Sequence, residues 1–166
     1  WLPGLRREVS ALARDGRLTG EGECAELLRD GLDRDRKDEP HAWSGPVGAS
    51  VGYEWPGKVS VAGARLVFDS DLRMPKHMPW IYPVRRSMPG VLVKAFRLEA
   101  LGDDGRWTTV FAERQNIRRL VVVPVGVETR GLRLVVESTW GAPAARIFAF
   151  DPLDKCRVKI PAGSPI

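Results

Sequence analysis

Asp69 and Asp71 stand two residues apart at the end of the alternating run Ala64, Leu66 and Phe68. On a strand, side chains two apart share a face, so these carboxylates could hold a cation or act as an acid pair. Arg73 lies beside them, and carboxylates at a strand end commonly pair with arginine or accept loop amides, so a purely structural reading stands next to the metal one. Nucleophilic chemistry has less to build on. A nucleophile needs a base within hydrogen-bond reach, yet Cys24 and Cys156 sit far apart without a nearby His, and no Ser occupies a GxSxG elbow. His41 and His77 lack HxxxH or HxH spacing, and two cysteines make neither a disulfide framework nor a zinc site. Each thiol reads as free, with a bridge between them as the alternative.

The densest set of recognition residues lies between Asp69 and Val91. This stretch holds four prolines, all three methionines of the chain, Trp80 and Tyr82. Prolines forbid regular structure, and long structureless loops in compact domains are usually functional or disordered. Saccharide recognition needs a flat aromatic face against the apolar side of a pyranose, with forked polar groups fixing the hydroxyls. His77, Trp80, Tyr82, Arg85 and Arg86 supply those types, and Asn116 and Trp140 stand in other loops that could share the same end. Two other readings fit the same loop. Met74, Met78 and Met88 are adaptable apolar side chains suited to docking against another domain, and Trp80 could simply cap the core.

The elements that must position these residues are strands. Val51, Tyr53 and Trp55 alternate with small or polar residues, and Ala64, Leu66 and Phe68 resume the alternation after Gly63, where a bulge can shift the phase. Phe96 and Leu98 belong to a strand over 91–100 and face the core. Gly102-Asp103-Asp104-Gly105 predicts a hairpin returning through Trp107 to Phe111. Short runs at 120–125, 132–137 and 146–150 follow, punctuated by Pro124, Gly126 and Gly141-Ala142-Pro143. Strands this close, without crossover helices, predict an all-β antiparallel sandwich. Ahead of them, Leu5, Val9 and Leu12 space a short amphipathic helix ended by Gly16 and Gly20, and a second fits Glu23 to Asp30 with Gly31 as its stop. The charged run 33–40 reads as a solvated linker without a binding role. The organisation expected is a helical lead-in and linker over 1–42, a sandwich over 43–155 and a tail over 156–166.

Hydrophobic residues at 43% and charged residues at 28% fit a folded globular domain, and no apolar run approaches the roughly 18–20 residues of a membrane span. The net charge of +5 comes mostly from scattered arginines, with no basic stripe interleaved with aromatics, which argues against nucleic acid as the partner. The chain opens on Trp1-Leu2-Pro3-Gly4 with no initiator Met and no leader pattern, and so reads as a segment of a larger or processed protein. No compartment follows from it.

Four stretches together resemble one family. They are Val67-Phe68-Asp69-Ser70-Asp71-Leu72, the loop Lys76-His77-Met78-Pro79, the strand from Val93 to Ala100, and Glu137-Ser138-Thr139-Trp140-Gly141 continuing through Ala145 to Phe150. Over roughly Leu5 to Asp151 the chain resembles the C-terminal domain of bacterial FAD-dependent oxidoreductases. The resemblance implies a galactose-binding-like jelly roll, with the helix from Leu5 to Leu18 as the segment joining it to a flavin domain, and makes Asp69 and Asp71 the candidates for a structural calcium. His77 departs from the family, which has Asn in that place. No strand-borne GxGxxG occurs in this chain, so FAD is expected only in an upstream domain. The function expected is a non-catalytic accessory module, docking to a catalytic half or binding a saccharide. The alternative is an autonomous carbohydrate-binding module.

Overall fold

Alternating burial carries most of the chain into strands in a computed structural model that describes residues 6–35, 39, 41–71 and 87–155. These strands are β1 (Arg17–Gly20), β2 (Trp43–Pro46), β3 (Ser50–Phe68), β4 (Val93–Leu101), β5 (Trp107–Glu113), β6 (Leu120–Thr139) and β7 (Ala144–Leu153). Ahead of them lie the single-turn helix α1 (Ala11–Asp15) and a 3₁₀ turn at Ala25–Arg29. All strand pairs are antiparallel, in the order β2-β7-β3-β6-β4-β5, with β1 added to β3.

Two long strands make this ladder into a sandwich. Residues 51–54 of β3 pair with β1, and 50–54 with residues 131–135 of β6, which in turn pairs with β4, and β4 with β5. Residues 63–68 of β3 instead pair with β7 and with residues 120–124 of β6. The register breaks between Glu54 and Val59, and again between Val61 and Gly63, where the sequence predicts a bulge. There the strand pair turns from one layer into the other. The runs 120–125 and 132–137, expected as separate strands, are therefore one strand. Gly126 takes φ +66° inside it, so the Pro-Gly signal marks the corner of a bent strand instead of its end.

The core lies between the layers. Tyr53 and Phe150 meet edge-to-face at 5.5 Å, and the Tyr53 hydroxyl donates to the Phe150 carbonyl at 2.9 Å. Phe96 packs on Phe68 at 5.1 Å and on Phe111 at 5.9 Å. Leu66, Leu98, Leu134 and Ile147 fill the remainder, all fully buried. The predicted hairpin is present: Leu101 pairs with Trp107, and Gly105 closes the turn at φ +76°.

The lead-in differs from its expectation. In place of a helix from Leu5 to Leu18, one turn starts where the Ser10 hydroxyl accepts the Ala13 N–H at 3.1 Å, and it stops at Gly16. Leu18 joins β1 and pairs with Tyr53, because a sheet edge offers backbone partners that a short isolated helix cannot match. The second helical segment forms in place, but as a 3₁₀ turn, with Gly31 at φ +80° just past its end. Ala13 and Leu28 are buried in the main core, and the Trp55 indole donates to the Leu12 carbonyl at 2.9 Å.

The start of the charged run, 33–35, is also corrected, while 36–38 and 40 lie outside the described residues. Asp33 pairs with Arg65, and Asp35 receives Arg146 at 2.8 and 3.0 Å, while Asp151, fully buried, meets Arg7 at 2.6 Å. Arg65 and Val67 alternate with the core residues Leu66 and Phe68, so this network lies on the outer face of the second layer. Beside it Ala42, Val67, Phe148 and Ala149 form a small second cluster. Asp33 and Asp35 thus dock the lead-in to the sandwich.

Candidate functional site

Pairing at the strand ends gathers several connections at one end of the sandwich. Val93 pairs with Thr139, Pro46 with Ala144, Phe68 with Ile147 and Val67 with Leu120. The β2–β3 turn, the β5–β6 loop and the β6–β7 loop therefore open together. The β3–β4 connection leaves this end at Asp69 and returns to it at Ser87. Backbone bonds stitch the loops to one another: Val47 N–H to the Pro143 carbonyl at 3.1 Å, Phe68 to Arg119 at 2.8 Å, and Ala142 to Gly90 at 2.9 Å.

Asn116 and Trp140 are brought together here. The Trp140 indole N–H donates to the Asn116 carbonyl at 2.8 Å, and the Trp140 backbone N–H donates to the Leu92 carbonyl at 3.0 Å. Asn116 is 4% exposed, and its side chain is spent on the protein. The amide nitrogen donates to the carbonyls of Val93 at 2.8 Å and Arg118 at 3.0 Å, and the amide oxygen accepts the Arg118 N–H at 3.0 Å. Its geometry is that of a bracket holding the β5–β6 loop against β4, where the sequence suggests a ligand contact. Replacing it by Ala strands two carbonyls and one N–H, so Asn116→Ala should cost about 1–3 kcal/mol. Amide hydrogen exchange should rise in 114–119 well before it rises in β4, and unchanged exchange there would show that the bracket is dispensable.

Trp140 is only partly buried, and the Lys94 ammonium stands 4.9 Å from its ring centroid. Val47, Ile117 and Leu120, at 41%, 64% and 51% exposed, are the large apolar side chains that the described residues leave in solvent, and all three stand at this end. The sequence reading missed them. The apolar Ile117 inside Arg114-Gln115-Asn116-Ile117-Arg118-Arg119 was the signal available.

Asp69 does not offer a free carboxylate. One oxygen accepts the Asp71 N–H at 2.7 Å, and the other takes Arg146, while Arg73 lies outside the described residues. Asp71 turns left-handed at φ 51°, which takes the pair off a shared strand face. Burial would lower the Arg146 guanidinium, but hydrogen bonds and charge from Asp35 and Asp69 outweigh it and hold it above its usual value. Among the described residues no group of three His, Cys, Asp or Glu is placed to hold a metal. Cys24 is exposed and free, and the His41 ring is tied to Asp30 at 2.7 Å. His77, Trp80, Tyr82, Arg85 and Arg86, with Met74, Met78 and Cys156, lie outside the described residues.

No family model matches this sequence, and no curated protein matches it. Solved structures do share its fold. The family 32 carbohydrate-binding module of Streptococcus pneumoniae EndoD superposes with a TM-score of 0.60 at 20% identity, covering 83% of this chain and 96% of that one. The family 32 module of C. perfringens NanJ, solved in complex with galactose, gives 0.60 at 11% identity over 85% and 95%. Chitosan-binding module 1 of a Paenibacillus sp. IK-5 chitosanase/glucanase gives 0.58 at 13% identity over 82% and 93%. The fold is a galactose-binding-like antiparallel β-sandwich.

Proposed function

We propose that this chain is a non-catalytic carbohydrate-binding module that takes a saccharide at the loop end of its sandwich. The observation that carries the reading is the convergence of three described loops and both stubs of the β3–β4 connection at the end where Val47, Ile117, Leu120 and the Trp140 ring meet solvent. Partly exposed apolar and aromatic surface is what the apolar side of a sugar requires, and the hydrogen-bonded loops beneath it reduce the ordering cost of binding. The similar structures named above support the reading, since they are carbohydrate- and chitosan-binding modules in this same fold.

Titration calorimetry against neutral, acidic and amino oligosaccharides tests it. A shallow open site should give Kd values from about ten micromolar to about one millimolar, or roughly 4–7 kcal/mol. No heat with any glycan would sink the proposal. The purified chain should also show no flavin absorbance and no hydrolase turnover, and a stoichiometric yellow preparation would contradict the non-catalytic reading. The similar structures are carbohydrate-binding modules and none points to a flavin-binding half, so they support the autonomous module over an oxidoreductase accessory domain. A strand, GxGxxG and helix in the reading frame upstream of Trp1 would decide between them.

A further inference from the structure

Resting on the saccharide reading, we propose that the loop end selects anionic saccharides, sugars bearing carboxylate or sulfate groups. Several cations elsewhere on the described surface are neutralised: Arg17 by Glu54 at 2.6 Å, Lys58 by Asp103 at 2.7 Å, and Arg97 by Glu137 at 2.7 Å. At the loop end, Lys94, Arg114 and Arg118 have no carboxylate partner among the described residues, and both arginines are exposed. They are held close in the fold. The Asn116 N–H donates to the Lys94 carbonyl at 2.8 Å, Arg118 is clamped through Asn116, and the Lys94 ammonium stands over the Trp140 ring. The one carboxylate of this stretch, Glu113, is turned onto its own loop, where it accepts the Gln115 N–H at 2.8 Å.

A guanidinium fork and a flexible ammonium are the donors that match carboxylate or sulfate oxygens, and charge-assisted hydrogen bonds are about twice as strong as neutral ones. An acidic substituent on a sugar bound at this end would meet the Lys94 ammonium at the Trp140 ring. Keeping like-signed, unpaired cations together costs self-repulsion, which an anionic ligand relieves.

The test uses the chain with a galacturonic acid trisaccharide, a sulfated galactose oligosaccharide and a neutral galactose trisaccharide. Acidic sugars should bind at least about tenfold tighter than the neutral one and weaken severalfold between low and high salt. The double variant Lys94→Gln/Arg118→Gln should lower acidic-sugar affinity about tenfold, leave neutral-sugar affinity within twofold and keep its melting temperature. Arg130→Gln, an exposed arginine away from this end, should change neither affinity. Equal affinity for neutral and acidic sugars, or selectivity surviving the double variant, overturns this proposal while leaving saccharide binding intact. Failure to bind any of the three probes, or any neutral or amino glycan, overturns both.

Discussion

Phe96→Ala should lower the stability of this domain by about 3–5 kcal/mol, a large share of the roughly 5–15 kcal/mol that holds a domain folded. Phe96 is fully buried and joins the two layers, touching Phe68 across the sandwich and Phe111 on the adjacent strand. Truncation removes the ring's transfer free energy and leaves a cavity. The neighbouring strands can collapse into it only partly, because backbone pairing with both β5 and β6 fixes β4 in place. At about 2–4 °C per kcal/mol for a chain of this size, the melting temperature should fall by about 6–20 °C. Phe96→Leu refills much of that volume and should recover more than half of the loss. A fall below about 1 kcal/mol for the Ala variant would mean that the layers do not close on this ring.

The sequence makes the sheet interior readable because alternation is local. Val51, Tyr53, Leu66, Phe68, Phe96 and Leu98 announce their inward faces within a few residues of chain, and the Gly102–Gly105 hairpin carries its turn chemistry with it. Gly63 is legible as a bulge for the same reason. Strand length is less legible. Pro124 and Gly126 stop a strand by local rules, yet here both layers need the same strand, and the bend they create carries β6 from one layer to the other. The lead-in is misread where distant partners decide the outcome. Leu18 leaves its helical pattern for Tyr53, and Asp33 and Asp35 lose their solvated character to Arg65 and Arg146, 32 and 111 residues further on. At the candidate site, the grouping of Asn116 with Trp140 is foreseen from their loops. The part that Asn116 plays is not, because the Val93 carbonyl that its amide holds becomes a neighbour only when the β5–β6 loop packs on β4.

Those distant partners are the basis of the second large effect. Arg65→Met should cost about 3–5 kcal/mol at pH 7, since it removes a guanidinium shared by Asp33 and the fully buried Asp151. Among the described residues Asp151 then keeps only Arg7, at 2.6 Å, as its counter-charge. The sign of the pH dependence follows from Asp151. Burial already holds its carboxyl above the usual range, against the pull of Arg7 and Arg65. A raised acid binds its proton more tightly folded than unfolded, so its charge costs stability once the pH exceeds the folded pKa. That cost fades as acidification protonates the group. Removing Arg65 raises the folded pKa further. The gap between variant and parent should therefore widen as pH climbs from the ordinary carboxylate range toward neutrality, and narrow in acid. Chemical denaturation at pH 4 and pH 7 measures this directly. Adding Asp151→Asn to Arg65→Met removes the stranded charge and should recover about half of the loss at pH 7, with a flatter pH profile. A loss below about 1 kcal/mol, with no change in pH slope, would show that water and not Arg65 neutralises Asp151, and that the charged lead-in is a solvated linker after all.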